Sequence, residues 1–231
     1  MDLRDRVYVV TGGGGAIAQP ILAAFAGAGA RLVVADRSED IAARGAQPVN
    51  GLPLAVDLSQ PAAGAELVAA AREKWGRLDG LIHTVGGFAM GKVHEGDPSL
   101  YDKMLDLNLR TLWHALRAVV PVLLEQRDGF IAGFASEPAW TGAAPGTALY
   151  GAAKAAVSHL LHSLDAEVHD HGVRVSIVYP MGAVDTPANR RDMPDFDPAR
   201  YIDPADIAAA LLYAATRSAR ARAVELPVWP R

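Results

Sequence analysis

The chain has 231 residues, no cysteine, and 22 basic against 26 acidic side chains, a net charge of −4. That length suits one large domain. The charge argues against a nucleic-acid or anionic-membrane binder, which needs a basic surplus. The lack of thiols excludes disulfides, thiolate zinc sites and cysteine nucleophiles, and suits a cytoplasmic protein. No apolar run approaches a membrane span, and the N-terminus enters strand-like sequence at once, so no secretory signal is expected.

Strand-like and helix-like segments alternate along the chain. Arg6–Thr11 is short and β-branched, a buried strand. A glycine run follows, then a helical pattern over Ile17–Ala28, stopped by Gly29. Arg31–Ala35 and Leu52–Val56 read as strands, Ala62–Trp75 as a helix and Leu78–His83 as the next strand. Pro98–Glu125 is a long helix, Phe130–Phe134 a strand, Thr147–His169 a second long helix and Val173–Val178 a strand. Asp206–Thr216 closes the helices and Ala223–Val228 the strands. Nearly continuous apolar strands separated by helices predict an α/β fold: a doubly wound parallel β-sheet in a single Rossmann domain over 1–231. Met181–Tyr201, rich in proline, is the least regular stretch and is read as a substrate lid.

Thr11-Gly12-Gly13-Gly14-Gly15-Ala16-Ile17-Ala18 stands between the first strand and first helix. Glycine there lets backbone approach a pyrophosphate, and the helix start offers N–H donors. Asp36 ends the second strand, where a carboxylate accepts from ribose hydroxyls and repels a 2′-phosphate. Arg37 beside it is a group that could hold that phosphate. NAD(H) is therefore preferred, with NADP(H) the alternative. Asp57, followed by Leu58, is placed to meet the adenine edge.

Tyr150-Gly151-Ala152-Ala153-Lys154 opens a long helix, and residues four apart share a face. An ammonium beside a phenol favours the phenolate, so Lys154 is expected to lower the Tyr150 pKa. Tyr150 would then be a general acid for carbonyl reduction or a base for alcohol oxidation. The histidine pairs His159/His162 and His169/His171 lie late in this helix, and no metal is expected there.

These motifs, with Asn108 in Asp106-Leu107-Asn108-Leu109, Ser136, Pro180 and Gly182-Ala183-Val184-Asp185-Thr186, resemble the short-chain dehydrogenase/reductase family over the whole chain. The resemblance implies that Tyr150 exchanges a proton with the substrate oxygen and Ser136 positions that oxygen. It also implies that Lys154 binds the nicotinamide ribose and that Asn108 holds a water relaying protons from Lys154. The cofactor would lie along Gly12, Gly14, Gly15, Ala16 and Ile17, then Val85, Gly86, Pro180, Gly182 and Val184, with Thr186 on the nicotinamide amide.

The chain departs from the family pattern at several points. Ala16 and Ala18 stand for glycines, which puts the tightness of the turn in question. Thr84 stands for an amide that braces the sheet, and Met181 is inserted between Pro180 and Gly182. The usual spacing back from Tyr150 reaches Glu137; the strand's own count reaches Ser136. Ser136 is preferred for the serine role, with Glu137 kept as the alternative or as a ligand for a cationic substrate. Val85-Gly86-Gly87-Phe88, the Tyr150–Lys154 motif and Asp185–Arg190 are similar to the dihydropteridine-reductase-like branch and bacterial relatives, a branch that uses NADH.

Phe88, Glu137, Trp140, Met181, Arg190 and Met193 are the candidate substrate contacts, a set suited to a cyclic or aromatic carbonyl or alcohol. The resemblance also implies pairing through the two long helices, as a homodimer or homotetramer. The main reading is an NAD(P)H-dependent oxidoreductase of the ketoreductase or alcohol dehydrogenase type. Its rivals are a biosynthetic enzyme of the same fold with epimerisation, dehydration or atypical reduction, and a catalytically degenerate nucleotide-binding regulator.

Overall fold

Seven strands form one parallel sheet in a computed structural model that describes residues 2–143, 145–218 and 220–231. The strands are β1 (Val7–Thr11), β2 (Arg31–Asp36), β3 (Leu52–Ala55), β4 (Gly80–His83), β5 (Gly129–Phe134), β6 (Val173–Pro180) and β7 (Glu225–Val228). They lie in the order β3-β2-β1-β4-β5-β6-β7. The chain winds outward from β1 in one direction, then restarts at β4 on the other side of β1. That reversal opens a crevice beyond the carboxyl ends of β1 and β4.

Alternate residues of β1 serve opposite faces. Val7 and Val9 join a core with α3 (Ala63–Trp75), α5 (Thr111–Gln126) and α7 (Ala148–Val168). Tyr8 and Val10 join a second core with α1 (Ala18–Gly27) and α9 (Pro204–Thr216). Both faces are covered, so the strands need to be apolar throughout rather than alternating. Gly64 sets the closeness of α3 to α5: a Cβ there would stand 2.2 Å from the His114 carbonyl oxygen.

The expected elements are present, with ends shifted by a residue or two. The long helix expected over Pro98–Glu125 is α4 (Ser99–Leu105) running into α5 through a wide π turn, Asp106–Arg110. Three short helices were not anticipated: α2 (Glu39–Ala46), α6 (Glu137–Thr141) and α8 (Pro187–Asp192). Met181–Tyr201 is also more ordered than its prolines suggest. A bridge joins Val184 to Ile202, with Asp185 N–H on the Ile202 carbonyl (2.8 Å) and Ile202 N–H on that of Ala183 (2.9 Å). The segment is a strap with fastened ends. Among the described residues no helix is long and apolar enough to cross a membrane.

Candidate active site

Two clefts of about 380 and 450 Å³ meet at Thr84 and Gly86, beyond the ends of β1 and β4. Gly12, Gly15, Asp36, Arg37, Asp57, Leu58 and Val85 line the first. Ile17, Ser136, Tyr150, Lys154, Pro180, Gly182 and Val184 line the second, with Phe88, Glu137 and Met193.

The glycine loop closes without the two family glycines. Gly12 turns the chain at φ +68°, and a Cβ on Gly14 would stand 2.0 Å from Ile41 Cγ2. Within the loop positive φ is confined to Gly12 and the closest approaches to Gly12–Gly14, and Ala16 is not among the residues of positive φ. No side chain caps α1 and no acidic residue lies in its first turn. Among the described residues no protein acceptor takes the Ala16 or Ile17 N–H. Asp36 reaches back under the loop: its carboxylate accepts from Gly14 N–H (3.1 Å) and Arg37 N–H (2.8 Å). A carboxylate offers about four lone-pair positions, so ribose hydroxyls can still be accepted. Asp57 accepts from Ser59 N–H (3.0 Å), a bond that holds its pKa below the ordinary value. Free N–H groups at a helix start, a spare carboxylate and a side-chain-free turn fit the phosphates and ribose of a dinucleotide.

The Thr84 hydroxyl donates to the Thr11 carbonyl (2.8 Å) and leans on that of Gly12 (3.3 Å). It therefore supplies the brace that the missing amide put in doubt. His83 Nδ1 lies 2.9 Å from Thr11 Oγ1, and its Nε2 lies 3.3 Å from Thr111 Oγ1. Thr111 spends its proton on the Leu107 carbonyl (2.9 Å), so His83 is the donor from Nε2 and the acceptor at Nδ1. Burial, with the nearby Lys154 charge, pushes His83 down to about 3 and keeps it neutral.

Asn108 is buried in the π turn, a wide-turn placement frequent at functional sites. Its Oδ1 accepts from Gly87 N–H (3.1 Å); its Nδ2 donates to the carbonyls of Gly87 (3.1 Å) and Met104 (2.9 Å). Both amide protons are spent, leaving one Oδ1 lone pair for a water. A Cβ on Gly86 would touch both Asn108 Oδ1 (2.8 Å) and Lys154 Nζ (3.1 Å), so these groups surround a point only glycine can occupy.

Lys154, on α7, is buried and donates to the Phe134 carbonyl (2.9 Å). Desolvation lowers its pKa to about 8. Tyr150 stands one turn earlier, with the Phe88 ring edge-on at 5.0 Å. The expected lowering of the Tyr150 pKa is not what this arrangement gives. Burial raises it, the Ser136 hydroxyl opposes that rise, and Lys154 faces the Phe134 carbonyl. Ser136 lies close enough to the phenol to favour its anion, yet its Oγ closes no hydrogen bond of good geometry and is buried without a partner. An orphaned hydroxyl beside a phenol invites a ligand oxygen. Glu137, by contrast, is exposed at the start of α6.

Three proposed substrate contacts lie elsewhere. Trp140 packs edge-on against Tyr179 at 4.9 Å, because α6 turns it away from the cleft. Met181 is 3% exposed in the core, because its N–H on the Val228 carbonyl (2.9 Å) carries the β6–β7 ladder one residue past Pro180. Arg190 is paired twice with Asp185, at 2.5 and 2.7 Å, and covers the Tyr201 ring. Thr186, given to the nicotinamide amide, caps α8 by accepting from Asn189 N–H (3.1 Å). Asn189 lines the cleft instead, with Thr147; composition and spacing single out neither, although Asn189 stands within the Asp185–Arg190 motif. Among the described residues no group of His, Asp and Glu could hold a metal.

The sequence matches the short chain dehydrogenase family over residues 6–195. It is 32% identical over 236 residues to an uncharacterised oxidoreductase of Staphylococcus saprophyticus, covering 100% of this chain and 99% of that one. An uncharacterised oxidoreductase of Staphylococcus aureus is 31% identical over 233 residues, covering 99% and 98%. Among solved structures, a 3-ketoacyl-(acyl-carrier-protein) reductase from Brucella melitensis complexed with NADH superposes with a TM-score of 0.88. It is 25% identical, with 98% of each chain covered. A putative short-chain dehydrogenase/reductase from Burkholderia xenovorans gives 0.88 at 26% identity, covering 99% and 96%. The chain belongs to the short-chain dehydrogenase/reductase family and is an NAD(P)-dependent oxidoreductase.

Proposed function

We propose that the protein is an NADH-preferring carbonyl reductase acting on a small cyclic or aromatic carbonyl compound. The observation that carries this is the junction itself. The Tyr150 phenol, the orphaned Ser136 hydroxyl and the Lys154 ammonium line the apolar cleft, which meets the glycine-loop cleft at Thr84 and Gly86.

Bound nicotinamide supplies the hydride to the carbonyl carbon; the protein's share is orientation and one proton. Ser136 donates to the substrate oxygen. Tyr150, kept protonated by burial, gives its proton to that oxygen as negative charge develops there. Lys154, with a pKa near working pH, is suited to re-protonate the phenol, and the free Oδ1 lone pair of Asn108 holds the water that reaches it. The balance is ketone, reduced cofactor and one proton in; alcohol and oxidised cofactor out. Asn108, Ser136, Tyr150 and Lys154 are accordingly the catalytic set.

Asp36 supports the preference for NADH. A 2′-phosphate would meet its carboxylate, and the opposing Arg37 is exposed at the rim. The Brucella neighbour holds NADH. Phe88, Pro138, Val184 and Met193 give the second cleft its apolar walls, and the strap over Met181–Tyr201 is its lid. Exposed Ala152 and Ala155 on α7 and the half-exposed Trp113 on α5 suit pairing of two copies. The chemistry suits the cytoplasm, where reduced cofactor is supplied.

Calorimetric titration with NADH and NADPH, followed by NADH oxidation over a carbonyl panel, tests this. NADH should bind at least tenfold tighter, and aromatic ketones should be turned over. Equal binding would refute the preference, and turnover without net cofactor oxidation would favour epimerisation or dehydration.

A further inference from the structure

Glu137 is a carboxylate that the reaction does not use. It lines the substrate cleft, directly follows Ser136 in the chain and is exposed. Among the described residues its carboxylate makes no ion pair or hydrogen bond, and no other carboxylate lines this cleft. The cations nearby are committed. Arg190 is held by Asp185, and Lys154 lies at the cleft's buried end on the Phe134 carbonyl. The remaining walls are largely apolar, Phe88, Pro138 and Met193 among them, and none neutralises Glu137. Beside it, the buried Ser136 hydroxyl lacks a partner and marks where a substrate oxygen is received.

We infer that the cleft selects carbonyl compounds carrying a protonated amine, held by Glu137 while the carbonyl oxygen sits at Ser136 and Tyr150, and rejects carboxylates. This rests on the carbonyl-reductase reading of the same site. A low-dielectric wall on one side strengthens the pairing relative to open water, although a rim carboxylate remains solvated. Attraction of the cation and repulsion of an anion together amount to about tenfold in affinity.

Three matched ketones probe it: para-acetylbenzylamine, para-methylacetophenone and para-acetylbenzoate, each titrated calorimetrically at about pH 7 into protein loaded with the oxidised cofactor, which cannot reduce them. The amine should bind about tenfold tighter than the benzoate. That ratio should fall to within about twofold in Glu137→Gln and invert in Glu137→Lys. A wild-type ratio under about threefold, a ratio preserved in Glu137→Gln, or binding of none of the three overturns the inference. NADH oxidation with the neutral ketone reports on the underlying reading separately: selective binding without reduction of any member would sink the reductase reading and leave the charge selection standing.

Discussion

Replacing Lys154 by methionine should make the protein more stable at neutral pH while disabling it. The Lys154 pKa falls from 10.5 to about 8 on burial, and each unit is worth about 1.4 kcal/mol, so carrying the charge inside costs about 3 kcal/mol. Methionine fills a similar volume without charge. The variant forgoes the bond from Nζ to the Phe134 carbonyl, about 1 kcal/mol net. The remainder is about 2 kcal/mol, or roughly 4–8 °C in melting temperature for a chain of this size. The pH dependence is the sharper part. Below about pH 8 lysine is charged in both folded and unfolded chains, and the full penalty applies. Between about 8 and 10.5 the folded protein sheds its proton first, so wild-type stability rises with pH relative to the variant. Above that range the methionine advantage is gone. Urea melts of both proteins, without cofactor, at about pH 7 and about pH 10 measure the difference. A variant less stable than wild type at pH 7, or a gap that does not shrink with pH, would refute the burial argument.

His83 gives a second titration. Its folded pKa, about 3, lies below the ordinary 6.5, so its stabilising contribution is complete above 6.5 and is lost as pH falls toward 3. His83→Asn should be weaker at pH 7, by about 1–3 kcal/mol for the disrupted bonds to Thr11 and Thr111. It should also show an acid limb shallower by about 1.4 kcal/mol per pH unit at most, in melts between pH 6.5 and 4; an unchanged limb would contradict this. Arg174, 5% exposed, donates to the carbonyls of Ala214 (3.0 Å), Ala215 (3.1 Å) and Arg217 (3.2 Å) and lies over the Phe130 ring. Arg174→Met leaves the end of α9 uncapped and should cost about 2–3 kcal/mol in urea unfolding; a loss under about 0.5 would show that the cap is dispensable.

Periodicity and punctuation made the sheet legible, because buried parallel strands are continuous apolar runs and Gly29 ends a helix where expected. The glycine loop, Asp36 and the Tyr150–Lys154 pair were legible for the same reason: their spacing and place between elements carry the chemistry. The substrate wall was not. Trp140 and Arg190 depend on α6 and α8, helices of five and six residues too short to show a period. Met181 depends on whether a strand ends one residue earlier or later, which reverses the face its side chain serves. Thr84 was seen as a loss, since the reach of its hydroxyl to the Thr11 carbonyl follows from strand register and not from composition. The expected fall in the Tyr150 pKa does not follow, because helical spacing puts Lys154 on the right face but does not show that its ammonium points at a backbone carbonyl.

The most direct test of the account is the turnover of Tyr150→Phe beside its NADH affinity. Ring packing against Phe88 survives that change, and only the phenolic proton is removed. The account predicts a fall in kcat of about a hundred- to ten-thousandfold with the NADH dissociation constant within about threefold of wild type. Activity retained within tenfold at intact cofactor binding would contradict it.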